Sequence, residues 1–122
     1  MSQRKILIIE DDVDEQVLIR EALGDKNYEY KMVGTAVEGL EEALSWQPDV
    51  ILLDLMLPQM SGLGFLRELK NLPEASHIPV IVRTILNDDD VAYASIEGGA
   101  TAFLSKDCST PELVAVVNDY TA

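Results

Sequence analysis

Five polar residues stand where short apolar runs end. Glu10 and Asp11 follow the run at 6–9, Asp54 follows 50–53, Thr84 closes the run that begins at Val80, and Lys106 comes just after the run at 102–104. Three of the five are carboxylic acids. If they share one pocket, each pair at about 4 Å and an effective dielectric near 20 repels by roughly 4 kcal/mol. That far exceeds the roughly 0–1 kcal/mol of a surface ion pair, so positive charge must offset it. Lys106 supplies one charge, and a hard divalent ion can supply two more. Mg2+ takes oxygen ligands and often combines one or two carboxylates with phosphate oxygens. The set suggests a carboxylate nucleophile, a metal beside it, and a hydroxyl and an ammonium to hold a phosphoryl group.

The elements that would position these residues alternate along the chain. Apolar runs at 6–9, 50–53, 80–82 and 102–104 read as strands, and 28–33 as a less buried one. Helical spacing joins Val13, Val17, Leu18, Ala22 and Leu23, with Gly24 as a stop. Ala36, Leu40 and Leu44 mark a second helix that ends before Pro48, where Trp46 is expected to pack. Phe65, Leu66 and Leu69 mark a third helix after the turn at 58–62. A short fourth spans 91–96, with Asn87 and the acids to Asp90 at its N-terminus, where they suit the helix dipole. Thr110 as N-cap and Pro111 in the first turn open a fifth, which buries Leu113, Val116 and Val117. Continuous apolar strands alternating with helices predict an α/β fold, a doubly wound, five-stranded parallel sheet covered on both faces. Such sheets place their sites outside the carboxyl ends of the strands, so the five polar residues are expected to converge. Residues 1–122 are expected to form one domain.

Composition excludes several classes. With 22 acidic and nine basic residues the formal charge is −13, a poor match to nucleic acid or to an anionic membrane surface. Cys108 is the only cysteine, so no internal disulfide can form. No apolar stretch approaches the roughly 18 residues of a membrane span. A cytoplasmic location is the expectation.

At this point the chain resembles the response-regulator receiver family. The matching stretches are ILIIEDD (6–12), DVILLDLMLPQMSG (49–62), IPVIVRT (78–84) and GATAFLSK (99–106). The resemblance implies a flavodoxin-like (βα)5 fold with strand order 2-1-3-4-5. It implies Asp54 as phosphoacceptor, attacking a phosphohistidine to form an acyl phosphate. It implies Asp11 as a direct Mg2+ ligand, Glu10 as an acid acting mainly through water, and the backbone carbonyl of Met56 as a further ligand beside Asp54. Thr84 becomes the switch hydroxyl and Lys106 the phosphate-pairing lysine. Phe103 matches the aromatic that follows the threonine, with a plain core phenylalanine as the alternative. Asp12 is favoured as a cap for the first helix. The implied partners are a sensor histidine kinase or histidine phosphotransfer protein, and a downstream protein target or fused output domain. The implied output surface is the face of helix four, strand five and helix five, which could also support a homodimer.

Four residues depart from the family pattern. Ile85 is bulky where a small residue is usual, which could shield an acyl phosphate or restrict the donor. Asp107 stands where proline is common, so the loop there is expected to differ. Phe103 lacks a hydroxyl. Arg83 puts a charge in an otherwise apolar strand and is expected on the output surface. His77 and Cys108 read as loop residues. An aspartate-nucleophile phosphatase would normally carry a second Asp where Met56 stands. A constitutive interaction module would not need the full acceptor set. A flavodoxin-type cofactor binder would need a phosphate loop after the first strand.

Overall fold

The computed structural model describes residues 3–86 and 88–121. Ten elements alternate: β1 (Arg4–Ile9), α1 (Val13–Leu23), β2 (Tyr28–Val33), α2 (Ala36–Trp46), β3 (Val50–Leu53), α3 (Gly62–Lys70), β4 (Val80–Thr84), α4 (Asp89–Glu97), β5 (Ala102–Ser105) and α5 (Thr110–Thr121). All strands are parallel, in the order β2-β1-β3-β4-β5. β1 and β3 are interior strands, and Ile6–Ile9 of β1 and all of β3 are apolar and buried because helices cover both faces. Every residue of β3 and β4 is buried.

Strand alternation sorts the side chains into two cores. Leu7, Ile9, Ile51, Leu53, Val80 and Val82 pack with α2 and α3 through Ala36, Ala43, Phe65, Leu66 and Leu69. Ile6, Ile8, Val50, Leu52 and Ile81 pack with α1 and α5 through Ile19, Leu113 and Val117. Burying each such side chain contributes about 1.5–3 kcal/mol. The edge strand β2 is the least buried of the first four, as its weaker alternation predicts.

The structure corrects three expectations about the helices. Val13, Val17 and Leu18 are exposed, and α1 buries Ile19 instead. Similarly, α2 buries Ala36, Gly39 and Ala43, while Leu44 is exposed. The fifth helix is capped by Ser109 rather than Thr110. The Ser109 hydroxyl accepts from the Glu112 amide at 3.2 Å and donates to the Glu112 carboxylate at 3.4 Å. At α4 the N-cap is Asp88, which accepts from the Val91 amide, with Asp89 and Asp90 in the first turn. Asn87 lies outside the described residues. Trp46 ends α2 and packs against the first core, with the Lys5 and Lys31 ammonium groups over its ring.

Candidate functional site

Each candidate residue sits at or just after the end of a strand. β1 runs straight into Glu10, which is buried, and the chain then turns into α1. Asp12 caps that helix, its carboxylate accepting from the Asp14 amide at 2.9 Å, while the Asp12 amide donates to Glu10 Oε2 at 3.1 Å. Gln16 donates from its side chain to the Glu10 carbonyl at 2.6 Å. Glu10 is thus fixed through both its backbone and its carboxylate. Asp54 continues β3, its amide donating to the Ile9 carbonyl at 3.0 Å. Its Oδ1 accepts from the Met56 amide at 3.1 Å.

The glycine of the 49–62 stretch has a steric cause. A Cβ on Gly62 would lie 2.6 Å from Leu55 Cα and 2.7 Å from the Asp54 carbonyl oxygen. Any side chain there would push on the backbone that carries Asp54. The Gly62 amide instead donates to the Leu55 carbonyl at 2.9 Å, closing the loop beneath the acid.

Four of the five residues expected to converge are brought together: Glu10, Asp11, Asp54 and Lys106. Oxygen atoms of Glu10, Asp11 and Asp54 lie within 4.8 Å of one another. Lys106 Nζ reaches Glu10 Oε1 at 2.7 Å and Asp54 Oδ2 at 3.0 Å. Asp11 is exposed, whereas Glu10 and Asp54 are buried. Burial pushes the Glu10 carboxyl above its usual range, against the lowering from Lys106 and the Asp12 amide, and Asp54 adds to the rise. Burial works against the charge on Lys106, but its bonds to Glu10 and Asp54 outweigh that and raise its pKa. Three hard oxygen donors in one cluster suit a small divalent cation such as Mg2+ and give a soft metal nothing it prefers.

Thr84 is fully buried, and its hydroxyl accepts from the Leu86 amide at a long 3.4 Å. The Lys106 amide donates to the Thr84 carbonyl at 2.9 Å, joining the ends of β4 and β5. Phe103 is partly buried and packs on the first core. Met56, Ile85 and Leu86 are exposed. After Lys106 the chain makes a turn in which Ser105 accepts from the Cys108 amide through its carbonyl and from the Asp107 amide through its hydroxyl, both at 3.0 Å.

Arg83 is not on an outer surface. It is 4% exposed, points to the α1/α5 side of the sheet, and pairs with Glu15 of α1 at 2.8 Å. Strand parity carried the signal: Arg83 shares its face with Ile81, which packs under α1 and α5. The sequence reading missed Glu15 and Gln16, since acid and amide residues in a first helical turn look like ordinary solvated positions.

The family model for the response regulator receiver domain matches residues 6–118. The chain belongs to the response regulator receiver family. The receiver is 32% identical over 117 residues to the polar-differentiation response regulator DivK of Brucella ovis, covering 96% of this chain and 95% of that protein. It is 31% identical to the signal receiver domain of a signal transduction histidine kinase from Syntrophus aciditrophicus, with a TM-score of 0.87, covering 97% of this chain and 89% of that one. It is 28% identical to the phosphorylated cyanobacterial phytochrome response regulator RcpA, with a TM-score of 0.81, covering 97% and 91%. Receivers are signalling domains of two-component systems. No described helix is long and apolar enough to cross a membrane.

Proposed function

We propose that this receiver accepts a phosphoryl group on Asp54 from a phosphohistidine of a sensor histidine kinase or histidine phosphotransfer protein. The observation that carries the reading is the Asp54 carboxylate held 3.0 Å from Lys106 Nζ, within an oxygen cluster shared with Glu10 and Asp11. One Asp54 oxygen forms the new O–P bond as the P–N bond of the donor breaks. The imidazole keeps the bonding pair and takes a proton from solvent. Glu10, Asp11, Asp54 and the Met56 carbonyl would hold Mg2+, which when bound neutralises charge on the phosphoryl oxygens. Lys106 would pair with one phosphoryl oxygen, and Thr84 would donate its hydroxyl to another. Hydrolysis of the acyl phosphate by water resets the receiver, so its only chemistry is its own phosphorylation and dephosphorylation. Met56 offers no carboxylate where a phosphatase would place its second acid.

The phosphoryl group adds roughly −1.5 to −2 charges, as other phosphoresidues do. The ends of β4 and β5 then rearrange, and partner affinity changes at the α4, β5 and α5 face, with Phe103 following Thr84. Helices α4 and α5 carry Asp89, Asp90, Glu97, Glu112 and Asp119 and no basic residue. A two-fold dimer would set these acids against one another, so a basic partner fits this face better than a second copy. A cytoplasmic location suits a kinase-fed switch. The test is incubation with a small-molecule phosphodonor and Mg2+, followed by intact-mass analysis. One base-labile phosphoryl group is expected, absent in Asp54→Asn and without metal. Labelling that persists in Asp54→Asn refutes the assignment.

A further inference from the structure

α1 is weakly anchored at its N-terminal half. Val13, Val17 and Leu18 are exposed, and the apolar contacts of the helix come from Ile19, Ala22 and Leu23 in its second half. Polar links hold the first turns. Two of them, Asp12 and Gln16 to Glu10, return to the end of β1. Among the described residues, these turns are tied to β4 by the bond from Arg83 Nη1 to Glu15 Oε2, at 2.8 Å.

A guanidinium buried under a sheet is costly unless paired, and this one is incompletely satisfied. Arg83 Nε has no hydrogen-bond partner among the described residues. With Ile8, Ile19, Leu52, Glu10 and Asp54, Arg83 lines a small cavity of about 10 Å³. The next residue of β4 is Thr84. The pair therefore spans the two halves of the site, with the acids that follow β1 on one side and the hydroxyl that ends β4 on the other.

We propose that Arg83 is a positioning residue. By clamping Glu15 it fixes the first turn of α1, and with it Glu10 and Asp11, against the strand end that carries Thr84. The proposal rests on the phosphoacceptor reading for its purpose, though the clamp can be measured without it. Arg83→Met removes the clamp and the buried charge together. Glu15→Gln removes only the partner charge. The guanidinium stays ionised and is left beside the acids that must attract a cation.

The experiment compares Arg83→Met, Glu15→Gln and the double variant in the full chain. Mg2+ affinity is read by calorimetry, and amide hydrogen exchange at Gln16 and Val17 is read without metal. Outer partners of metal ligands typically control affinity by about 10–100-fold. Glu15→Gln is expected to weaken Mg2+ about tenfold, at the lower end of that range. Arg83→Met and the double variant should match each other, with a smaller loss. Exchange at Gln16 and Val17 should quicken in all three, with β1 and β3 amides unchanged. If the folded variants keep Mg2+ affinity within about twofold and normal exchange in α1, Arg83 is a structural ion pair only and the proposal fails, whatever happens to Tm. If Glu15→Gln does not fold, the double variant decides, because it holds no lone buried charge. A wild-type chain that neither binds Mg2+ nor labels at Asp54 sinks the phosphoacceptor reading alone, and the exchange data still judge the clamp.

Discussion

Replacing Lys106 by methionine keeps the volume of the side chain close to native and removes the cation shared by Glu10 and Asp54. Both contacts are short, 2.7 and 3.0 Å, and Lys106 is largely buried. Breaking a buried pair typically costs about 3–5 kcal/mol. Here the loss has a ceiling, because Glu10 can take up a proton. Starting from its ordinary value of 4.5, protonation at pH 7 costs about 3.4 kcal/mol at about 1.4 kcal/mol per pH unit. The expected deficit at pH 7 is therefore about 3 kcal/mol. At pH 5 the same route costs about 0.7 kcal/mol, so most of the deficit should vanish. The sign follows from linkage. A carboxyl whose folded-state pKa is raised contributes stability that is present below its unfolded value and lost as pH rises through its folded value. Removing Lys106 removes a lowering influence on Glu10, so the variant falls further behind wild type between pH 5 and 7. Urea titrations with chelator present read this as a shift in Cm. Millimolar Mg2+ should restore part of the lost stability through binding to the native state. A deficit under about 1 kcal/mol at pH 7, or one that does not change between pH 5 and 7, would show that Lys106 behaves as a screened surface charge.

Gly62→Ala should lower stability by about 1–3 kcal/mol, because its Cβ would press on the Leu55 and Asp54 backbone; labelling of Asp54 should slow in the same variant, checked by intact mass over time. Ile85 is 60% exposed, and Ile85→Ala should speed loss of the acyl phosphate without reducing its formation, measured as the decay of the labelled mass after donor removal. The Tyr28 hydroxyl meets Asn118 and Thr121 of α5 in a part-buried network. Tyr28→Phe should cost about 1–3 kcal/mol by denaturation and leave Mg2+ affinity unchanged, since β2 begins at the opposite end of the sheet from the acids.

The site was more legible in the sequence than the helices that frame it. Buried parallel strands must be apolar on both faces, so the first polar residue after each run is visible as a boundary. That is why Glu10 and Asp54, and Lys106 one residue beyond the polar Ser105, could be placed together from positions far apart in sequence. Helix α1 was less legible because its apolar positions do not form one stripe. Val13 and Val17 sit at i, i+4 spacing yet face outward, and Ile19 carries the burial. Periodicity alone cannot reveal that its N-terminal half is fixed by Glu15 and Gln16, since that depends on what lies beneath. Arg83 was misplaced by reading its charge before its parity. The Ser109 cap was legible in principle, because Ser109 and Glu112 form a capping-box pattern three residues apart.

The same geometry bounds how strongly the proposed switch can respond. Lys106 already bonds Asp54 at 3.0 Å, so pairing it with a phosphoryl oxygen exchanges one charge-assisted bond for another and adds little. Thr84 is different. Its hydroxyl now accepts a long 3.4 Å bond from Leu86, and turning it to donate to a charged oxygen gains a bond worth about 1.5–3 kcal/mol. A full reversal from 1:99 to 99:1 needs about 5.5 kcal/mol. Thr84 alone falls short of that, by a factor of about two to four. The Lys106 amide bond to the Thr84 carbonyl makes the ends of β4 and β5 move together, but coupling only shares the available energy. On this reading phosphorylation brings the receiver to a partial population of its active shape, and binding of the partner supplies the remainder.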